Sequence, residues 1–296
     1  MRELHGLPIE EPCFAQESGE RYKTLESWRA LIDAFVEQRL DRDALVLAIG
    51  GGATLDLAGF AAATYLRGVR WIAVPTTLLA MVDAAWGGKT GVDLPMAKNL
   101  VGAFHPPQEV VVETKFLRTL PQRETRAGLA EVVKHGVIGD VTLLQRAGRD
   151  DPASFVADAA RVKREIVERD PLEQGERRVL NLGHTLGHAL EQASGYALHH
   201  GEAVAIGLRA ACRIAELYCG FMQREVVEDA LDRCGLPAHT NLDEETVLEA
   251  LAHDKKRTAK SLRWVLPLDL GDVRVFEDVP EEPVRIALRE VLSPTA

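Results

Sequence analysis

Lysine is scarce in this chain. Of 296 residues nine are Lys, against 26 Arg. Arg can replace Lys on most solvated surfaces, but not where a compact ammonium must donate to a phosphate or shift its pKa. The nine positions, Lys23, Lys89, Lys98, Lys115, Lys134, Lys163, Lys255, Lys256 and Lys260, are therefore informative. Cysteine is also sparse. Cys13, Cys212, Cys219 and Cys234 form no CxxC pair, which excludes a disulfide framework and leaves reduced, mostly packed thiols. No run of about 18 uninterrupted apolar residues occurs. The opening Met1-Arg2-Glu3-Leu4-His5 lacks the apolar core of a secretion signal, so the expected compartment is the cytoplasm, without membrane contact. Positive charge is in deficit, with 35 Lys+Arg against 45 Asp+Glu and a net charge of −10. Nucleic acid is not an expected partner, because phosphate contacts need a basic excess on one face. What remains is an ordinary globular composition, 46% hydrophobic and 27% charged, at a length that suits two domains of about 100–200 residues each.

The pattern predicts an α/β half followed by a helical half. Ala44–Ile49 is a short apolar run ending in Gly50-Gly51-Gly52, as a buried parallel strand does when it feeds a tight turn. A helix from about Thr54 to Tyr65 and a second strand over Arg70–Val74 complete a βαβ unit, with Thr76-Thr77 placed to cap a further helix. Val110–Val112 suggests another strand. From Gln122 to Leu251 apolar residues recur with helical period, Ala203–Tyr218 being an example. Leu262–Leu266 and Val273–Phe276 flank Gly271-Asp272 as a hairpin would, before a last amphipathic helix over Pro283–Leu292. The expected domains are 1–120 and 121–296, with a cleft between them.

Several clusters can carry chemistry. Gly50-Gly51-Gly52 between strand and helix is a phosphate cradle or simply a tight turn, and its spacing is not GxGxxG. Asp56 adds a carboxylate one turn in. Gly87-Gly88-Lys89-Thr90-Gly91 is not a Walker loop, because Asp83 stands where that motif needs glycine. Asp83, Lys89, Lys98 and Asn99 then lie in a Gly-rich stretch that also reads as a surface loop. Of nine histidines, His184, His188, His199 and His200 fall within 17 residues. His184 and His188 share a helix face, and imidazoles converging with a carboxylate suit zinc with an open position, although spacing leaves open which three groups are ligands. Glu131 and Lys134 are one turn apart. They read as an ordinary ion pair, except that the apolar and small residues around Glu131 disfavour an uncompensated carboxylate.

Taken together, these segments resemble the 3-dehydroquinate synthase family. The resemblance rests on Gly50–Phe60, Arg67-Gly68-Val69-Arg70, Val74–Ala80, Gly87–Gly91, Lys98–His105, Ala127–Glu131, Leu180–His188 and His200–Val204, in this order along one chain. It implies a Rossmann-like parallel-sheet NAD-binding domain and a mainly helical metal- and substrate-binding domain. It further implies zinc, or cobalt, held by Glu131, His184 and His200, with His188 as a substrate neighbour instead of a ligand. NAD would lie against Gly51, Gly52, Asp56, Thr76 and Thr77, with Glu20 and Lys23 near its nucleotide end and Lys98 between cofactor and substrate. Asp83, Lys89, Asn99, Lys134, Lys163, Arg177 and Asn181 would hold the substrate. Lys255 or Lys256 would close over it, and Arg67 would reach the partner subunit's site in a homodimer.

The implied activity is that of a carbon–oxygen lyase of the shikimate pathway to aromatic amino acids. It turns 3-deoxy-arabino-heptulosonate 7-phosphate into 3-dehydroquinate and phosphate through transient NAD reduction. The competing readings are another sugar phosphate cyclase, a metal-dependent polyol dehydrogenase, and a non-catalytic relative with impaired NAD binding. Ala53-Thr54-Leu55 and Ala85-Trp86 depart from the family's usual residues at those positions. The family's nucleotide-binding half also has a strand–helix unit ahead of Gly19-Glu20. Met1–Pro8 reads as the end of that unit's helix, which predicts an exposed sheet edge and weakened NAD binding.

Overall fold

The computed structural model describes residues 2–4, 7–9, 13–17, 19–95, 97–258 and 262–292, with residues 2–4, 7–9, 97 and 253–258 described by backbone alone. The chain divides into two compact units, Met1–Thr76 with Gly88–Glu113, and Thr77–Gly87 with Thr114–Ala296. This division differs from a single cut at 120/121 in two ways: the short segment Thr77–Gly87 packs with the helical unit, and the later boundary falls at Glu113/Thr114.

In the first unit β1 (Arg2–Leu4) and β2 (Leu7–Ile9) pair antiparallel. This corrects the helix expected over Met1–Pro8. Pro8 has no N–H to donate within a helix, and Gly6 is a poor helix former, so an extended pairing is the cheaper local solution. Helix α1 (Leu25–Glu37) starts where the Thr24 hydroxyl accepts from the Ser27 N–H at 3.2 Å. Strand β3 (Leu45–Gly50) leads into α2 (Gly52–Thr64) and back to β4 (Arg70–Pro75), parallel in the register Leu45↔Arg70 to Gly50↔Pro75. This is the βαβ unit expected from the apolar runs.

Strands β5 (Lys89–Leu94) and β6 (Ala97–Phe104) form an antiparallel hairpin where the Gly-rich sequence read as a surface loop. Gly91 faces Gly102 across it, and a Cβ on Gly102 would lie 2.1 Å from the Thr90 carbonyl oxygen. Close backbone approach thus replaces the alternating side chains by which a strand is recognised. The hairpin's Val92 joins Leu57 and Phe60 of α2 in a small core, with Trp28, Val101 and Ala103 against it. β7 (Glu109–Val110) adds a short parallel strand to give the sheet order β3-β4-β7. β3 is an edge of this sheet among the described residues, and its Leu45 and Leu47 are about half exposed, so it is less buried than its apolar run predicts.

The second unit is helical. It comprises α3 (Leu78–Val82), α4 (Gln122–Ile138), α5 (Thr142–Arg146), α6 (Val156–Arg169), α7 (His184–Ala193), α8 (His200–Cys219), α9 (Arg224–Arg233), α10 (Glu244–Thr258) and α11 (Glu281–Leu292). A hairpin, β8 (Trp264–Asp269) with β9 (Asp272–Phe276), precedes α11, as expected. Helix α8 is buried almost all round over Gly201–Cys212, so it is a core helix more than an amphipathic surface one. No disulfide joins the four cysteines, of which Cys212 and Cys234 are buried. Among the described residues no helix is long and apolar enough to cross a membrane.

Candidate active site

Helix α4 carries Glu131, Lys134 and His135 at i, i+3 and i+4, which puts all three on one face. Two glycine contacts bring the histidines to that face. A Cβ on Gly201 would lie 2.3 Å from the Ala127 Cα, so only glycine lets the start of α8 press against α4. Gly183 precedes α7 in the left-handed region at φ +77°, and a Cβ on Gly207 would lie 2.0 Å from its carbonyl oxygen, so α7 and α8 meet backbone to backbone. The first residue of each helix, His184 and His200, is thereby delivered to Glu131. Glu131 Oε1 stands 3.6 Å from His184 Nε2 and 3.4 Å from His200 Nε2. One donor atom from each of the three lies within 4.8 Å of the others.

Glu131 is fully buried. Its Oε1 has no hydrogen-bond partner, while Oε2 is ion-paired with Lys134 Nζ. Burial opposes ionisation of Glu131, but the Lys134 ammonium outweighs it and holds the carboxyl well below its usual range. Burial, helped by Lys134, holds His184 well below the usual imidazole value and therefore neutral. Burial likewise opposes the charge on His200, yet the Glu131 carboxylate at 3.4 Å and the hydrogen-bonded Glu191 carboxylate raise it to about 10. Two imidazoles and a carboxylate around an unsatisfied buried oxygen form a donor set of the kind that holds catalytic zinc. His188 is exposed, with its ring centroid 5.3 Å from that of His184 and 6.4 Å from that of His200, and its donor atom groups with Glu191 and His200 instead.

Beside this triad lies a buried network around Asp83, the residue that ends α3. Asp83 meets Lys163 Nζ at 2.7 Å, Lys134 Nζ at 3.5 Å and His135 Nε2 at 3.6 Å. Burial opposes its charge, but Lys163, Lys134 and His135 together keep its carboxyl well below the usual range. Lys163 is lowered by burial and by repulsion from Lys134, against the pull of Asp83. Arg177 is buried and donates from Nη2 to the Gly87 carbonyl at 2.6 Å and from Nη1 to that of Pro171 at 2.5 Å, so it clamps a turn. Asn181 donates to Glu173 at 2.7 Å. Sequence reasoning passed over His135 and Glu191. The signal was helical spacing, since His135 is i+4 from Glu131 and Glu191 is i+7 from His184.

In the first unit a different cluster surrounds Lys23. Its Nζ stands 2.8 Å from Glu20, 3.2 Å from Asp56 and 3.5 Å from Asp93, and donates to Asn99 Oδ1 at 2.7 Å. Burial would depress this ammonium, but Asp56 and Glu20 raise it above its usual value. Asp56 is pushed up to about 6, chiefly by burial, with Glu20 and Asp93 adding repulsion against Lys23. The positive charge of Lys98 helps keep Glu20 ionised. Asn99 thus stands with Glu20, Lys23 and Asp56. Gly51 is the N-cap of α2 and Gly52 its first residue, and the Thr76 N–H donates to the Gly50 carbonyl at 2.9 Å. In the second unit the Thr77 hydroxyl caps α3, accepting from the Ala80 N–H at 3.2 Å. Lys89 is exposed at the start of β5. Arg67 is exposed in a left-handed stretch, Leu66 at φ 49° and Arg67 at φ 66°. Lys255 and Lys256 lie in α10, and their side chains fall outside the described residues.

The family models for the 3-dehydroquinate synthase N-terminal and C-terminal regions match residues 13–127 and 128–257. The 3-dehydroquinate synthase of Nostoc punctiforme is 46% identical over 289 residues, spanning 92% of this chain and 79% of that protein. Two solved structures have similar folds. 2-epi-5-epi-valiolone synthase from Streptomyces hygroscopicus subsp. jinggangensis, with NAD+ and Zn2+ bound, superposes with a TM-score of 0.86 at 28% identity over 92% of this chain and 80% of that one. 2-deoxy-scyllo-inosose synthase, complexed with carbaglucose-6-phosphate, NAD+ and Co2+, gives 0.83 at 29% identity over 93% and 82%. The converging triad, the lysine-lined network and both halves of the family pattern lie on one chain, which belongs to the 3-dehydroquinate synthase family.

Proposed function

We propose that this chain converts 3-deoxy-arabino-heptulosonate 7-phosphate to 3-dehydroquinate and phosphate. The observation that carries the reading is the convergence of Glu131, His184 and His200 beside Lys134, Lys163 and Asp83. Glu131, His184 and His200 would hold zinc or cobalt, and Gly51 and Gly52 at the start of α2, with Asp56, Thr76 and Thr77, would hold NAD. When bound, the metal supplies Lewis acidity toward a substrate hydroxyl, and NAD supplies a hydride acceptor that gives the hydride back.

The remaining work falls to the protein's own side chains. Lys134 and Lys163 stand together on Asp83, so an arriving carboxylate or phosphate would meet two ammoniums already held in place. Asp83 holds both ammoniums in place and opposes the loss of their protons. Screening beyond about 8 Å makes this local charge count for more than the net charge of the chain. Arg177 shapes the Gly87 turn, while Lys89, Asn99, Asn181 and His188 are further substrate contacts. Glu20, Lys23 and Lys98 serve the cofactor end. Lys255 or Lys256 closes the site, and Arg67 reaches the site of a second copy in a cytoplasmic homodimer. The transformation has no net redox change. Phosphate leaves by elimination, and the carbon chain closes by an intramolecular aldol step that a folded site mainly orients.

The 46% identity to a 3-dehydroquinate synthase favours this substrate over those of the other cyclases, at 28–29%. Phosphate release from the heptulosonate phosphate, with and without added NAD, tests the reading. Release without NADH accumulation is expected, and steady NADH production from an alcohol would replace the reading with a dehydrogenase. His200→Ala should lose its zinc, and full occupancy in that variant would sink the ligand set.

A further inference from the structure

Both histidines of the triad are held by the ring nitrogen that faces away from Glu131. His184 Nδ1 lies 3.0 Å from the Leu182 carbonyl oxygen, with Nε2 toward Glu131. His200 Nδ1 lies 3.1 Å from Glu191 Oε1, again with Nε2 toward Glu131. The two tethers differ in charge, since one is a backbone carbonyl and the other a carboxylate. Glu191 is buried at 6% exposure, on the face of α7 that starts with His184. The end of that helix is fastened around it, because the Ser194 hydroxyl and the Tyr196 N–H both donate to the Glu191 backbone oxygen, at 2.9 and 2.8 Å. A buried carboxylate costs several kcal/mol unless it is paired. Here the paired group is a metal-ligand histidine.

We infer that Glu191 is the positioning residue of the metal centre: it accepts the Nδ1–H of His200, fixes the ring's rotation, and leaves the Nε2 lone pair aimed at the space beside Glu131 Oε1. The inference rests on the reading of Glu131, His184 and His200 as ligands. A negatively charged acceptor on the far nitrogen also makes the imidazole a stronger donor to a metal, which the neutral carbonyl behind His184 does less well. Of the two tethers, the one at Glu191 therefore contributes more to affinity.

The test measures zinc affinity of the purified full-length chain by chelator competition, together with the visible spectrum of the Co2+-loaded protein, in wild type, Glu191→Ala, Glu191→Gln and His184→Ala. Glu191→Ala should bind zinc about 10–100-fold more weakly and shift the Co2+ bands. Glu191→Gln keeps an oxygen acceptor without the charge and should fall between Glu191→Ala and wild type. If the alanine variant does not fold, the glutamine variant alone must still show weakened zinc binding and a moved Co2+ spectrum. Wild-type affinity with an unchanged spectrum in the Glu191 variants overturns the proposal, even if their melting temperature drops, since that marks a purely structural role. Failure of the underlying reading looks different. His184→Ala would then retain zinc while Glu191→Ala lost it altogether, as expected if His188, Glu191 and His200 were the ligands.

Discussion

The two units each bury a lysine cluster, and the same residue types serve opposite ends. Around Lys23 a single ammonium faces the carboxylates of Glu20, Asp56 and Asp93, and burial, with repulsion from Glu20 and Asp93 added, drives Asp56 up to about 6. In the helical unit Lys134 and Lys163 face Asp83 and Glu131, and the acids stay well below their usual range while burial and Lys134 lower Lys163. In the first cluster one ammonium is shared among three carboxylates and ties Glu20, α2 and the β5–β6 hairpin together. The second balances two ammoniums against two carboxylates and still leaves Glu131 Oε1 without a well-formed hydrogen bond, facing the Nε2 atoms of His184 and His200.

Removing the central cation from each cluster should separate them by size. Lys134→Met leaves Glu131 buried and unpaired in the metal-free protein, and should cost about 3–5 kcal/mol in urea unfolding, part of it restored by added zinc. Lys23→Met should cost less, about 1.5–3 kcal/mol, because Glu20 and Asp56 retain contact with water. A larger loss for Lys23→Met would reverse the comparison. The smallest effect concerns pH. The Asp56 value of about 6 lies above the ordinary 3.8, so the folded chain holds this proton more tightly than the unfolded one. Ionising Asp56 therefore costs stability progressively as pH rises from about 4 through 6, and the cost is complete above that. Asp56→Asn removes this cost, so its urea midpoint should shift in its favour relative to wild type between pH 5 and 7.5. A difference independent of pH would show that Asp56 is no more acid-retentive than a surface carboxylate.

Much of this was legible from local pattern. The apolar runs at Leu45–Gly50 and Arg70–Pro75 mark parallel strands because parallel sheets carry near-continuous hydrophobic residues, even though β3 leaves Leu45 and Leu47 half exposed, and the closing hairpin and helix follow from turn chemistry and period. The β5–β6 hairpin was not legible, because Gly91 and Gly102 replace the side-chain alternation that announces a strand. Nor was the N-terminal pairing of β1 with β2, which is too short to show a period.

By itself, then, the sequence determined the class of fold, the residue types available for chemistry and, through spacing on single helices, which of them share a face: Glu131 with Lys134 and His135, His184 with His188. Only the tertiary structure decided which faces meet. Spacing left the ligand set open and the family resemblance pointed to His200; the structure placed Glu191 behind His200, grouped Asn99 with Lys23, and turned Arg177 onto the Gly87 carbonyl. The physical reason is that helical period fixes directions within one element, whereas the approach of α4, α7 and α8 depends on contacts such as Gly201 on Ala127 and Gly207 on Gly183, between residues far apart in the chain.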